Sequence, residues 1–205
     1  MYWTFYNPDN NLMNNQNSNS LLHTQDTFRA FVDAIVPRTP GLAEEYGRIQ
    51  YFGALDSGIE EYLIMSLNNY YIPLAAPTAE MLDIAAEQLV MMQGNESELD
   101  FSLFPGGGTF AVLSPNDRFR ALTLLEQLQV NLSTLPIPFQ ENPGFVLYIL
   151  LELNRSTMMG YYSEWSGYGS TRLDEPNQRI LEYFPLDWEQ VGYPGPSLGY
   201  RALRG

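Results

Sequence analysis

NPGFVLYILLELNRSTMMG, residues 142–160, decides how this chain is built. It is the most apolar segment of the sequence. Asn142 is a good helix N-cap, Pro143 suits the first helical position, and Gly160 suits a helix stop. Every residue from Phe145 to Leu151 is apolar, so the predicted helix has almost no wet side. A helix that is apolar all round must be surrounded by other elements or by a partner. It also delivers an aromatic tail, YYSEWSGYG (residues 161–169), at its C-terminal end.

The segments before it supply helices to surround it. Ser114-Pro115-Asn116-Asp117 is a strong helix start, with a capping Ser, Pro at the first position and an acid in the first turn. That helix is expected to run to about Leu132, with Ala121, Leu124, Leu125, Leu128 and Leu132 facing inward. LPIPF (Leu135 to Phe139) then bends the chain, so the two helices are expected to be antiparallel neighbours. Upstream, Phe28, Phe31, Val32 and Ile35 recur at helical spacing between Thr24 and Val36, and Pro37 ends that helix. A second helix is expected from Leu42 to about Leu55 and a third from Ile59 to Tyr71. A fourth is expected from Ala79 to Gln93, striped with Leu82, Ala85, Ala86, Leu89 and Val90. Gly94 to Val112 reads as a loop. The sequence therefore predicts an all-α fold: a compact bundle of about six helices with a long, mostly irregular aromatic C-terminal tail. Three regions follow. Residues 1–22 are an aromatic and Asn-rich arm expected to be mobile, 23–160 the helical domain, and 161–205 a Tyr-, Gly- and Pro-rich tail.

Composition narrows the chemistry. The 205 residues suit one domain with an extension. The net charge of −14, from 24 acids against 10 bases, argues against nucleic acid, whose phosphates demand Lys and Arg. Cysteine is absent and all ten bases are Arg. Disulfides, thiolates, iron–sulfur ligation, Schiff bases and a P-loop lysine are thereby excluded. No segment reaches the roughly 18–20 apolar residues that span a bilayer. MYWTFYNPDNN has neither a basic n-region nor a twin arginine, so the chain reads as cytoplasmic unless it is exported with a partner.

Candidate reactive groups are few. The single histidine, His23, sits among polar residues of the arm and reads as a surface residue. Glu44–Glu45 and Glu60–Glu61 are adjacent in helices, about 100° apart, and suit a solvated face better than a shared site. Asp117, Glu126, Glu152 and Glu164 lie on or near the two central helices, but a di-metal centre of paired helices uses Glu-x-x-His, and the body has no histidine. Pro105-Gly-Gly-Gly-Thr109 shows neither the preceding strand nor the following Lys or helix N-terminus in register of a phosphate cradle. These residues point to a chain that binds rather than catalyses. The tail carries the anchors for binding: Tyr161, Tyr162, Trp165, Tyr168, Trp188, Tyr193 and Tyr200, aromatic groups with polar handles that favour interfaces, together with Pro194 and Pro196. They can wrap their own domain, dock a partner, or do both. With the aromatic arm, they also give the chain two ends through which copies could link to one another.

Several segments resemble a known family. FRAFVDAIVPRTPGLAEEYGRIQYF (Phe28 to Phe52) is similar to the opening of the gluconate 2-dehydrogenase subunit 3 family, a helix ending in a Thr-Pro-Gly turn. Here the turn is Pro37-Arg38-Thr39-Pro40-Gly41, followed by Leu42 where the family often has Ala. RFRALTLLEQL (Arg118 to Leu128) resembles its central helix. NPGFVLYILLE, YYSEW, Trp188 and GYPGPSLGY (Gly192 to Tyr200) resemble its second half. The resemblance spans residues 24–200. It implies a small helical accessory subunit without a cofactor of its own, paired with a large FAD-dependent sugar or sugar-acid dehydrogenase of the glucose-methanol-choline type. In many members a cytochrome subunit completes the complex. The family often carries a twin-arginine leader; this sequence shows none.

Overall fold

The computed structural model describes residues 9–193, and every regular element among them is helical. The α-helices are α1 (Asp9–Ile35), α2 (Ala43–Tyr46), α3 (Ile59–Asn68), α4 (Ala75–Met91), α5 (Thr109–Val112), α6 (Pro115–Glu126), α7 (Pro143–Tyr161) and α8 (Leu186–Val191). α1 is the hub. It packs against α3, α4, α5 and α6 and touches α7, while α3 and α6 also pack on α7. Its stripe of Phe28, Phe31 and Val32 is fully buried or nearly so, and it meets Leu63, Leu82, Phe110 and Ile149 in one continuous core.

Two caps form as the sequence dictates. The Ser114 hydroxyl accepts the Asp117 N–H at 3.2 Å, and the Asn142 side chain accepts the Phe145 N–H at 3.2 Å. Each satisfies one of the otherwise orphaned donors of a first turn.

Elsewhere the structure corrects the expectation. α1 begins at Asp9, inside the Asn-rich stretch expected to be mobile. Once the packed turns from Thr24 onward nucleate a helix, each added residue fixes only its own dihedrals, so extension is inexpensive. The aromatic segment before it lies outside the described residues. The expected second helix is instead a run of short pieces: 3-10 turns at Pro40–Leu42, Arg48–Tyr51 and Ala54–Ser57 around the single turn of α2. Gly47, at φ +90°, breaks it. α3 ends at Asn68 rather than Tyr71, and α4 starts four residues early, at Ala75. α6 stops at Glu126 rather than Leu132, because Leu128 takes a positive φ of 54°. Its buried stripe is Asp117, Arg118, Ala121, Leu122 and Leu125, rotated from the predicted one.

α7 matches its predicted span, but it is not enclosed. Val146, Ile149, Leu150 and Leu153 face the core. On the opposite side Leu147, Tyr148, Leu151, Met158 and Met159 are 40–66% exposed. Among the described residues no helix is long and apolar enough to cross a membrane.

Candidate functional site

The aromatic residues predicted to mark the site divide into anchors and surface. α7 ends by presenting Tyr161, 5% exposed, whose hydroxyl donates to the Phe52 carbonyl at 2.9 Å. Burial, reinforced by the neighbouring Tyr162, Asp187 and Asp56, pushes its ionisation up to about 12, so the phenol stays a donor. Trp165 is 2% exposed. Its Nε1 donates to the Gly58 carbonyl at 2.9 Å, and its ring meets Tyr62 edge-on at 5.2 Å. The Arg179 guanidinium lies 5.4 Å from the Trp165 ring and 6.0 Å from that of Tyr168, a cation–π contact with both. Tyr168 donates to Glu164 at 3.1 Å; burial and that carboxylate both raise its ionisation. Arg172 ties the same stretch to Glu61 at 2.6 Å. Trp165 and Arg172 thus clamp the tail onto α3, with Tyr168 held beside them by Glu164 and Arg179.

The chain then doubles back. Gly167 accepts N–H groups from Glu182 and Tyr183, and a Cβ at Gly167 would lie 2.5 Å from the Tyr183 carbonyl oxygen. Only glycine allows that crossing. It sets α8 beside the short helical turns that follow Pro40. Gln190 donates to the Tyr46 carbonyl at 2.8 Å and accepts from the Ile49 N–H at 3.3 Å. Trp188, 6% exposed, donates to the Tyr162 carbonyl at 3.4 Å, with Phe184 at 6.1 Å and Tyr193 edge-on at 5.0 Å.

The result is an aromatic surface on a buried footing. Ile49, Phe52, Tyr161, Tyr183, Phe184 and Asp187 line a groove of about 200 Å³. Phe52, Tyr162, Tyr183, Phe184 and Tyr193 around it are 38–58% exposed. Burial raises the ionisation of Asp187 against the pull of the backbone N–H groups at the start of α8. The structure therefore brings Tyr161, Tyr162, Trp188 and Tyr193 together, sets Trp165 apart as an internal anchor, and leaves Tyr168 half-buried beside it. Pro194, Pro196 and Tyr200 lie outside the described residues. Tyr183 and Phe184 were not singled out from the sequence. Their signal was the aromatic pair before Pro185, at the point where the tail turns into α8.

The other titratable groups tie loops to the helical body. His23 is not a bare surface residue: its Nε2 lies 2.5 Å from Oδ2 of buried Asp83, and this hydrogen bond raises its pKa against the effect of burial. Asp83 also accepts the Phe110 N–H at 2.8 Å, and Asp26 accepts the Gly106 N–H at 2.9 Å. The glycine run is thus seated on carboxylates, the opposite of a phosphate cradle. Asp117, fully buried, accepts N–H groups of Glu96 and Ser97 at 2.9 and 3.0 Å. Burial disfavours its charge, yet these donors and the Ser114 hydroxyl hold its pKa below the usual range. Glu152 accepts the Ser156 hydroxyl at 3.0 Å.

Arg118, 1% exposed, bridges three carbonyls: Ala30 at 3.1 Å, Phe110 at 3.3 Å and Ala111 at 2.8 Å. It also reaches Asp33 at 3.4 Å and lies 5.2 Å from the Phe104 ring. Among the described residues, no group of three or more His, Asp or Glu side chains could hold a metal ion. No protein-family model, curated protein or solved structure matches the chain.

Proposed function

We propose that this protein is a non-catalytic accessory subunit. Its role is to bind and stabilise an FAD-dependent sugar or sugar-acid dehydrogenase of the glucose-methanol-choline type. The observation that supports it is the aromatic surface around Phe52, Tyr183, Phe184 and Tyr193, exposed at its rim and fixed from below by Trp188 and Tyr161. Aromatic side chains held on a rigid footing lose little entropy on docking and supply the anchors that dominate binding energy. The groove, at about 200 Å³, is smaller than the roughly 300–1,000 Å³ of small-molecule sites. It suits a side chain of a partner, and the flavin belongs to that partner. The family resemblance of residues 24–200 supplies the identity of the partner.

The test is capture of the tagged chain from its native cells, read by flavin absorbance and by the mass of the co-purified protein. The wild type retains one large flavoprotein in fixed ratio. Tyr183→Ala and Phe184→Ala, both at exposed positions, keep the fold and lose that flavoprotein. Capture of no flavoprotein, or capture indifferent to both substitutions, overturns the reading.

A further inference from the structure

The aromatic groove carries charge as well as rings. Ile49, Phe52, Tyr183 and Phe184 wall it, and two carboxylates, Asp56 and Asp187, lie in the same lining. Both carboxylates act on the Tyr161 hydroxyl and help to raise its ionisation, so they approach one phenol from distant segments of the chain. The two are not equivalent. Asp56 is already neutralised: the Arg38 Nε donates to it at 2.7 Å and the Gly53 N–H at 2.8 Å, and Arg38 above all holds its carboxyl below the usual range. The ion pairs among the described residues use His23, Arg29, Arg38, Arg118, Arg120 and Arg172, and none of them reaches Asp187.

Asp187 is half-buried, and burial pushes its pKa up. Its charge sits where water solvates it poorly and where no described cation takes the place of that water. A carboxylate so placed gains from a cation that a ligand brings. The walls of the groove select which cation. Ring faces attract positive charge. A guanidinium is planar, stacks on aromatic faces and is more weakly hydrated than an ammonium. The chain uses this pairing once already, in the neighbouring stretch, where Arg179 lies over the rings of both Trp165 and Tyr168. The net charge of −14 also draws a basic partner surface toward the molecule.

We infer that the groove takes one arginine side chain of the partner protein, its guanidinium between the aromatic walls and paired with Asp187. The inference rests on the reading of this surface as the docking site and adds the chemistry of what docks there. Asp187 is then the residue that sets specificity: the rings supply affinity for any flat apolar group, and the carboxylate restricts the groove to a cation. A groove of about 200 Å³ holds one such side chain.

Titration of the full chain with Nα-acetylarginine amide, followed by nuclear magnetic resonance at the rings of Tyr183 and Phe184, gives the first readout. The probe shifts those signals in the wild type. Nα-acetylcitrulline amide, of nearly the same shape but uncharged, does not. Asp187→Asn removes the charge at a position where burial already favours the neutral form, so the fold survives. It weakens binding of the probe about fivefold or more, and Asp187→Glu recovers most of the loss. Capture from native cells gives the second readout: Asp187→Asn loses the flavoprotein, as Phe184→Ala does. A probe that binds no better than its uncharged counterpart, or that binds Asp187→Asn as well as the wild type, overturns the inference. A flavoprotein lost on Phe184→Ala but kept by Asp187→Asn also overturns it and leaves the docking reading standing. Capture of no flavoprotein, with the probe binding as expected, supports arginine as the occupant and overturns the identity of the partner. Binding of the probe only after Arg201→Ala and Arg204→Ala are combined assigns the groove to the chain's own C-terminus and overturns the inference.

Discussion

Replacing Arg118 with methionine is the sharpest probe of how the body is held together. The guanidinium is 1% exposed and joins α1, through the Ala30 carbonyl and Asp33, to α5, through the Phe110 and Ala111 carbonyls. Burying the charge costs several kcal/mol, and burial indeed lowers its pKa against the pull of Asp33. Three charge-assisted hydrogen bonds to carbonyls, at about 1.5–3 kcal/mol each, offset that cost. Methionine relieves the charge but cannot donate, so three inward carbonyls lose a charged donor and Asp33 loses its counter-ion. Breaking such a buried set costs about 3–5 kcal/mol. For a domain of this size that lowers the melting temperature by on the order of 10 °C. Arg118→Lys should recover little of it, since one ammonium cannot span the fork of acceptors on two segments. Urea unfolding followed by far-ultraviolet circular dichroism measures both variants. A loss under about 1 kcal/mol for Arg118→Met, within the range of an ordinary surface substitution, would refute the reasoning.

Further outcomes follow from the same contacts. The His23–Asp83 bond raises a histidine pKa on folding. The sign is that its stabilisation is fully present below the unfolded value of about 6.5 and is lost as pH rises through the higher folded value. The urea midpoint should therefore fall above neutrality in the wild type, and His23→Gln should remove that slope. Asp117 carries the opposite sign, because its folded pKa is depressed. Its contribution is present above about pH 3.9 and is lost as pH falls through the folded value, so Asp117→Asn should flatten the acid limb of the stability curve. Glu60 is 8% exposed and its Oε2 has no hydrogen-bond partner, with a pKa raised by burial. A raised carboxylate opposes folding as pH climbs through its folded pKa, so Glu60→Gln should raise the melting temperature at pH 7. Gly108→Ala would drive a Cβ into the Asp83 carboxylate and should cost about 1–3 kcal/mol by overpacking, read from the urea midpoint.

The parts legible in the sequence were those set by local chemistry. The start of α7 was legible because Asn142 and Pro143 act on their immediate neighbours; Gly160, read as its stop, lies inside the helix against Tyr62. The inward faces of α1 and α4 followed from spacing alone. Three things escaped. The stretch after Pro40 has helical spacing, but Gly47 at φ +90° divides it, and periodicity does not register that. His23 was assigned to a wet surface because its partner lies 60 residues away. Arg118 was not singled out from the sequence. It shares a helical face with Ala121, Leu122 and Leu125, and that position within an apolar stripe was the available signal. The tail was legible as sticky but not as divided. Which aromatics serve as footing and which as surface depends on the return of the chain over Gly167, a tertiary contact. The enclosure of α7 was inferred from composition, and the structure leaves its outer stripe exposed.

The most direct test of the accessory-subunit account is the native mass of the particle isolated from the organism's own cells, with its flavin content measured on the same sample. The account predicts a particle containing this chain and a large flavoprotein in fixed proportion, which loses the flavoprotein on Phe184→Ala. A homogeneous particle built from this chain alone, with no flavin, would contradict it.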